Sequence, residues 1–236
     1  MFTESAELYD LIYSSIRNYG AEAEHIAALL RAANPRCHSI LDVACGTGEH
    51  ARLLAEKFGY DVDGSDLSPD FVRIARTKHP AGRFTVADMA ELRLERQYDA
   101  ILCLGSSIGY LRDLAAVKQA FDCFRAQLRA DGVVIVEPWF PPDHLESGYR
   151  STRTVDTPTV RVVREQSTEI IDRVSRLRFD YTIETQGQRR YVSELHELGL
   201  FTVAELLETF AAAGFDAHYD AQGLNGRGLY VAKIAA

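Results

Sequence analysis

One carboxylate and two glycines have the spacing of a ligand-binding turn. Asp42 lies in a short apolar run, Ile40–Val43, that is typical of a buried strand. Gly46 and Gly48 follow at once, and glycine allows both the positive φ and the close approach of a ligand that such a turn requires. We therefore expect strand, glycine turn and helix in succession, with Asp42 placed to hold a cationic amine.

The residues around Gly46 and Gly48 limit which ligand-binding motif this turn can be. A P-loop needs Gly-Lys-Ser or Gly-Lys-Thr after its glycines, and this stretch has neither. The dinucleotide fingerprint G-x-G-x-x-G would place Ala51 at its third glycine, a replacement that the fingerprint tolerates. Another kind of nucleotide binding and a purely structural turn therefore both remain open at this point.

Further carboxylates are expected at the ends of the next strands. Asp66 comes about 20 positions after the glycines, where an acid can accept hydrogen bonds from both hydroxyls of a ribose. The alternative for Asp66 is a role in capping the helix that begins near Ser68 and Pro69. Asp88 follows the third predicted strand, and its alternative is the start of a turn.

Composition and charge exclude several classes of protein. The 236 residues are 47% hydrophobic and carry a net charge of −8, whereas a nucleic-acid binder needs a basic face. No run of eighteen apolar residues indicates a membrane span, and the first residues lack the pattern of a signal peptide. The four cysteines form no CxxC pair, so we expect reduced thiols in a cytoplasmic protein and no metal site.

The element pattern changes near residue 140. Before it, five strand–helix units alternate, which predicts an α/β fold with a parallel sheet and a ligand site at the carboxyl ends of the strands. From about 150 to 200, apolar residues alternate with a period of two, which predicts an antiparallel meander of three or four strands. Nine arginines, no lysine and six acids lie between Arg150 and Arg190. A solvated strand face, a dimer surface and attraction for an anionic substrate are all compatible with this arginine-rich stretch.

These patterns define the predicted domains. Residues 1–139 and 201–236 form one cofactor-binding domain, and residues 140–200 are an antiparallel β insert. Within the first range, residues 1–20 contain three tyrosines, Tyr9, Tyr13 and Tyr19, more than packing needs because each buried phenol requires a hydrogen-bond partner. The family resemblance described below implies that this segment folds over the cofactor as a lid. Simple packing of this segment against the sheet edge is the alternative. A last helix and an antiparallel strand pair complete the chain.

The stretch from Ile40 to His50 resembles motif I of the S-adenosylmethionine-dependent methyltransferases. The remaining resemblance is to the N-methyltransferases that dimethylate amino sugars carried on thymidine diphosphate, as in desosamine and mycaminose biosynthesis. It rests on five strings, which are Tyr9–Tyr13, Ser106–Leu111, Val136–Trp139, Ser193–His196 and Gly226–Tyr230. The family implies a class I methyltransferase sheet, mostly parallel with an antiparallel last strand, S-adenosylmethionine as cofactor and a homodimer that the insert helps to form.

The resemblance also assigns residues to two ligands. For the cofactor it implies Tyr19, Asp42, Ala44, Cys45, Gly46, Gly48, Asp66, Leu67, Asp88, Met89 and Leu104. In this family Asp88 would accept the adenine amine, with Met89 against the ring. For the sugar nucleotide it implies Tyr13, Glu137, Trp139, Tyr149 and Arg227. The slim backbone between two glycines would let Arg227 reach outward and grip a pyrophosphate with its planar fork, the alternative being a surface arginine in a hairpin turn.

The catalytic candidates are Tyr13, Glu137 and His196. No His–Asp pair marks a dedicated base in the strand-exit loops, so we expect these three residues to orient the amine and the methyl group. Two other functions stay open from sequence alone. One is methyl transfer to nitrogen or oxygen of a different small metabolite, and the other is a protein that binds S-adenosylmethionine without catalysis.

Overall fold

The computed structural model describes residues 6–235. The helices are α1 (Tyr9–Tyr13), α2 (Tyr19–Ala33), α3 (Glu49–Phe58), α4 (Pro69–Lys78), α5 (Leu114–Gln127) and α6 (Val203–Ala212). The strands are β1 (Ser39–Val43), β2 (Asp61–Asp66), β3 (Phe84–Val86), β4 (Tyr98–Cys103), β5 (Leu128–Val136), β6 (Arg150–Asp156), β7 (Val160–Ile171), β8 (Val174–Thr185), β9 (Gln188–Gly199), β10 (Phe215–Asp220) and β11 (Leu229–Ile234). Short 3-10 turns span Ala6–Leu8, Ser107–Leu111 and Pro142–His144.

Seven strands form the larger sheet in the order β10-β11-β5-β4-β1-β2-β3. Strands β1 to β5 are parallel, while β11 runs antiparallel to both β5 and β10. Every side chain of β1 and β4 is buried, because helices cover both faces of a parallel sheet. The predicted α/β class, with an antiparallel end, is confirmed.

The registers bring the carboxyl ends of the parallel strands to one edge. Val43 pairs with both Ser65 and Cys103, and Cys103 pairs in turn with Val136. The residues that follow these strands therefore share one side of the molecule. This edge is where the sequence placed its candidate ligand site.

Strand β5 follows α5 directly, at Leu128, and its register against β4 shifts between Tyr98 and Ala100. One element boundary differs from the one expected. Tyr19 belongs to α2 and not to the segment before it, because the Asn18 side chain accepts a hydrogen bond from the backbone N–H of Ala21 and caps the helix there.

The insert is a four-stranded antiparallel sheet, β6-β7-β8-β9, as the alternation of its residues predicts. Its inner face packs on the segment before α2. Ile12 of α1 lies in one buried cluster with Val162, Leu177 and Leu198 of the insert. The meander therefore covers α1 from outside.

Residues 6–18, called the lid segment below, are also attached to the larger domain. The Thr47 hydroxyl donates to Asp10 Oδ1 at 2.5 Å, and Lys78 Nζ lies 2.6 Å from Asp10 Oδ2. The Tyr9 ring meets Phe71 of α4 edge-on, with centroids 5.0 Å apart. The lid segment thus lies between the meander and the glycine turn.

Gly48 fixes how closely α3 and α4 approach. It has φ +75°, and a Cβ placed there would lie 2.9 Å from Cβ of Ala75 in α4. Gly59, at the other end of α3, has nearly the same backbone with φ +73° but open space around it. A substitution at Gly59 therefore tests backbone strain alone, whereas a substitution at Gly48 tests backbone strain and steric crowding together.

We expect Gly59→Ala to lower the free energy of unfolding by about 1 kcal/mol through backbone strain alone. Gly48→Ala should lower it by about 2–4 kcal/mol, since overpacking adds to the same strain. Urea denaturation of the two variants measures the difference. Equal losses would mean that α4 yields to the new methyl group without cost.

Candidate active site

A cavity of about 400 Å³ opens at the carboxyl edge of the larger sheet. It is bounded by the loops after the parallel strands, by the lid segment and by the inner face of the meander. The candidate residues that line it are Tyr13, Tyr19, Asp42, Ala44, Cys45, Gly46, Asp66, Leu67, Asp88, Met89, Leu104, Trp139, His196 and Arg227. Three candidates, Gly48, Glu137 and Tyr149, do not line it.

The glycine turn offers bare backbone to this cavity. Ala44 and Gly46 both have positive φ, 54° and 56°. A Cβ at Gly46 would meet only the Tyr9 ring, at 4.0 Å. The space between the turn and the lid segment is therefore open to a ligand, whereas Gly48 serves helix packing behind it.

Asp66 is fixed by the turn and keeps acceptor capacity. Its Oδ2 accepts from Gly46 N at 2.9 Å and its Oδ1 accepts from Ser68 N at 2.8 Å. Burial raises its pKa, against the effect of these backbone donors. Each carboxylate oxygen has a second lone pair, so the side chain has room for ribose hydroxyls in addition to its structural bonds. The helix cap itself comes from Ser68, whose hydroxyl accepts from Phe71 N.

Asp42 is the least satisfied carboxylate of the site. It is 2% exposed, and its Oδ2 has no hydrogen-bond partner among the described residues. Burial, assisted by the nearby charge of Asp66, raises its pKa to about 7. A buried acceptor without a donor, at the wall of a cavity, suits a cationic or N–H group of a ligand.

The resemblance predicts that Asp88 and Met89 contact the adenine, and both line the cavity. Asp88 Oδ1 accepts from Ala90 N at 2.9 Å, so this acid does start a turn. Its other oxygen is not used in that turn. Leu67 also lines the cavity and is 48% exposed.

A buried ionic network of four side chains adjoins the cavity, namely Arg17, Glu22, His50 and Glu137. Arg17 Nη2 lies 2.7 Å from Glu22 Oε2 and 3.1 Å from Glu137 Oε2. His50 Nε2 lies 2.8 Å from the same Glu22 oxygen. Although burial opposes it, hydrogen bonds from His50 and Arg17 lower the pKa of Glu22 to about 2.

Glu137 is the centre of this network and is fully buried. Its Oε2 also accepts from Gly105 N at 2.7 Å, and its Oε1 accepts from Asn225 Nδ2 at 3.2 Å. Arg227 Nη1 is 3.9 Å from Oε1. The carboxylate therefore acts as the counter-ion of two arginines, and its expected contact with the substrate amine stays a prediction that this geometry does not favour.

Arg227 points into the molecule and not outward as the glycines on either side suggested. Its Nη1 donates to Ser106 Oγ at 3.2 Å, because Ser106 and Glu137 offer acceptors below it. Its Cζ lies 5.4 Å from the Trp139 ring centroid and 5.5 Å from that of Phe140. The guanidinium still borders the cavity and is partly exposed.

His196 lines the cavity from β9 of the meander, and Tyr13 lines it from the lid segment. The Tyr110 hydroxyl hydrogen-bonds His196 Nδ1 at 2.7 Å, and burial lowers the pKa of His196 despite Glu194 nearby. Tyr13 stacks on Tyr9 with centroids 4.3 Å apart, and burial raises its pKa although Arg164 and Arg227 oppose the shift. The imidazole is thus neutral and the phenol protonated at ordinary pH.

Tyr149 lies apart from the cavity. It precedes β6, an edge strand of the meander, and its side chain is 55% exposed. Tyr149 does not line the cavity, so the geometry does not support its predicted contact with the sugar nucleotide. Sequence reasoning in turn missed Arg17, Glu22, His50 and Arg164, of which only Glu22 gave a signal, as an acid beside the apolar stripe of α2.

Two features are absent from the part of the chain that the structure describes. Residues 6–235 contain no group of three or more His, Cys, Asp or Glu side chains arranged to hold a metal ion. Within the same range no helix has both the length and the apolar character needed to cross a membrane.

The sheet order, the glycine turn and the carboxylates at its edge define a class I methyltransferase, and comparison with known proteins agrees. A family model described as a methyltransferase domain matches residues 40–132. The chain is similar to the dTDP-3-amino-3,6-dideoxy-alpha-D-glucopyranose N,N-dimethyltransferase of Streptomyces fradiae, at 38% identity over 231 residues, covering 96% of this chain and 89% of that protein. It is 36% identical to the dTDP-3-amino-3,4,6-trideoxy-alpha-D-glucopyranose N,N-dimethyltransferase of Streptomyces venezuelae, covering 97% of each.

Solved structures give the same result. DesVI of Streptomyces venezuelae superposes with a TM-score of 0.93 at 34% identity over the whole of both chains. CalS10 of Micromonospora echinaspora, an amino pentose methyltransferase solved with S-adenosylmethionine bound, gives 0.87 at 31% identity and covers 100% of this chain and 98% of that one. The chain belongs to the family of S-adenosylmethionine-dependent amino-sugar N,N-dimethyltransferases. It is an enzyme, and S-adenosylmethionine is its cofactor, so the reading as a non-catalytic binding protein is set aside.

The raised pKa of Asp42 predicts how cofactor affinity depends on pH. The carboxyl must lose its proton to hold the ammonium of the cofactor's methionine end. With a pKa of about 7, affinity for S-adenosylhomocysteine should be about tenfold weaker at pH 6 than at pH 8, and binding at pH 6 should release a proton. Calorimetry in buffers of different ionisation enthalpy measures both quantities. Asp42→Asn should remove the pH dependence. Binding without proton release at pH 6 would contradict this role.

Proposed function

We propose that the enzyme transfers methyl groups to the amino group of a deoxysugar carried on thymidine diphosphate, with two transfers to the same nitrogen. The observation that carries the proposal is similarity over nearly the whole chain to enzymes named for that reaction. A related enzyme of Saccharopolyspora spinosa, named for a 4-amino sugar, is 32% identical over 97% of this chain. Both amine positions therefore belong in the substrate panel.

The distribution of charge in the cavity supports an anionic substrate. Asp42 lies near the end of β1, Asp66 ends β2 and Asp88 follows β3, so the three acids share one half of the sheet edge. Arg227 precedes β11 at the opposite half, and Arg164 lines the cavity from β7 of the meander. A cofactor with a cationic methionine end suits the first half, and a diphosphate suits the second.

The side chains present need only to orient the reactants. When bound, S-adenosylmethionine supplies an electrophilic methyl group to a neutral amine. No oxyanion develops, so the protein has to align the amine and exclude water. Tyr13 borders the cavity from the lid segment, and neutral His196 is positioned by Tyr110. Bulk water takes the proton of the amine before binding.

We propose in addition that the enzyme works in the cytoplasm as a homodimer formed through the meander. All four cysteines are free thiols, which suits a reducing compartment. The outer surface of the meander carries Tyr191, 70% exposed, and Leu195, 55% exposed. Large apolar side chains at this exposure on one strand favour a covered face.

Arg227 provides a test of the diphosphate contact. Arg227→Met should raise KM for a thymidine diphosphate amino sugar about ten- to a hundredfold, the effect of losing one charge-assisted hydrogen bond or a pair of them. The free amino sugar should be affected little, and S-adenosylhomocysteine affinity should be retained. Arg227→Lys keeps the charge without the planar fork and should fall between. Equal losses for both sugars would remove Arg227 from the phosphate site.

The orientation mechanism predicts limited losses from single substitutions. Tyr13→Phe and His196→Asn should each slow turnover by no more than about a hundredfold, because neither group has to accept the proton in the transfer step. The pH profile of turnover should follow the ionisation of the substrate amine. Steady-state kinetics with several amines of different basicity measures this. A loss of about ten-thousandfold with intact binding would identify a true base and refute orientation alone.

A further inference from the structure

Ser175 is a fully buried hydroxyl in an otherwise apolar row of the meander. It lies on β8, near the start of the strand. The buried residues that follow it on the same face of β8 are all aliphatic or aromatic, namely Leu177, Phe179, Tyr181 and Ile183. A buried hydroxyl costs free energy unless it has a hydrogen-bond partner. The Trp139 indole is such a partner, since its Nε1 donates to Ser175 Oγ at 3.2 Å.

This hydrogen bond is one of several contacts that hold Trp139 in place. Trp139 packs against the buried cluster that contains Leu177 and Leu198 of the meander. A Cβ at Gly109 would lie 3.2 Å from Trp139 Cβ and 3.2 Å from Leu198 Cδ2, so the glycine allows this close packing. The indole is therefore fixed at its N–H by Ser175 and at its Cβ by the turn that contains Gly109.

Trp139 in turn contacts the guanidinium of Arg227. The Arg227 Cζ lies over the Trp139 ring, 5.4 Å from its centroid, and over the Phe140 ring at 5.5 Å. The two rings meet at 69° with centroids 4.9 Å apart, so one cation lies over two rings of different orientation. A cation over the face of an aromatic ring is attracted by the negative electrostatic potential of that face.

The side chain of Arg227 depends on these rings because its backbone does little to fix it. Gly226 and Gly228 flank it with φ +72° and +83°, and neither has a side chain that could support the loop. The guanidinium donates from Nη1 to Ser106 Oγ at 3.2 Å and is partly exposed at the cavity. The direction of its other donors therefore depends on the position of the Trp139 and Phe140 rings.

We propose that Ser175 is a positioning residue for substrate binding, acting through Trp139 on Arg227. This inference rests on the proposed function, in which Arg227 contacts the diphosphate of a nucleotide-linked amino sugar. By holding the indole N–H, Ser175 fixes the ring over which the guanidinium lies. An arginine that is held in place before the substrate arrives loses less conformational freedom on binding, which increases affinity. The meander thus contributes to recognition of the diphosphate through a residue that does not line the cavity.

Ser175→Ala tests this role, because it removes the hydroxyl with little change of volume. It should raise KM for a thymidine diphosphate amino sugar about three- to tenfold, the effect of losing one neutral hydrogen bond. The value of kcat and the affinity for S-adenosylhomocysteine should not change. Calorimetry with thymidine diphosphate, on enzyme saturated with S-adenosylhomocysteine, should show the same loss without turnover. Trp139→Phe, which keeps an aromatic ring but lacks the N–H, should have an effect of at least this size.

Two double-mutant cycles test the route from Ser175 to the substrate. Ser175→Ala should add no further loss to Trp139→Phe and none to Arg227→Met, because the hydroxyl acts through the indole and the indole through the guanidinium. If Ser175→Ala does not fold, the cycle of Trp139→Phe with Arg227→Met replaces it.

A matched control separates this role from a general effect on the meander. Ser167 lies on β7, is partly buried and does not line the cavity. Ser167→Ala should therefore leave KM and the affinity for thymidine diphosphate unchanged. The melting temperature is measured for every variant.

The outcomes separate failure of this inference from failure of the proposed function. A wild-type enzyme that methylates no nucleotide-linked amino sugar would remove both. A wild-type enzyme that does so, with an unchanged KM in Ser175→Ala, would remove only the role of Ser175. A loss that persists in full in the Arg227→Met background, or that falls on kcat and not on KM, would do the same.

Discussion

The buried carboxylate of Glu137 is the interaction on which the arrangement of the cavity depends. An isolated carboxylate taken from water into a protein interior costs several kcal/mol, so it is stable there only with donors on every side. Its donors come from three separate segments. Arg17 ends the lid segment, Gly105 follows β4, and Asn225 lies between β10 and β11. Folding must bring all three together, and the resulting network fixes the floor of the site.

This network also explains the electrostatic character of the two halves of the cavity. Because Glu137 and Glu22 balance Arg17 and Arg227, the floor is close to neutral. Asp42 and Arg164 also line the cavity, and neither makes an ion pair within residues 6–235. The site therefore has one negative and one positive group available to ligands, while the charges of Arg17, Glu22, Glu137 and Arg227 pair with one another.

Much of the fold was predictable because its signals are local. The glycine turn, the start of a helix near Ser68 and the alternation of the meander each depend on residues within a few positions, and each is found as expected. The direction of Arg227 was not predictable, since its acceptors Ser106 and Glu137 lie far from it in sequence. Arg17 and His50 were missed for the same reason. A single sequence shows residue types and spacing, whereas a buried ion pair is defined by partners that only the folded chain brings together.

The attachment of the lid segment has a consequence for the order of events in repeated turnover. Asp10 is bound to Thr47 and Lys78 beside the glycine turn. In the proposed site, these contacts would enclose the spent cofactor as well as a fresh one. Two transfers to one nitrogen require an exchange of cofactor between them. The ratio of mono- to dimethylated product then depends on two competing rates. One is the release of the monomethylated sugar, and the other is the opening of the Asp10 contacts followed by entry of a second S-adenosylmethionine. Under the proposed function, processivity would then depend on the ion pair between Asp10 and Lys78 as well as on the transfer chemistry.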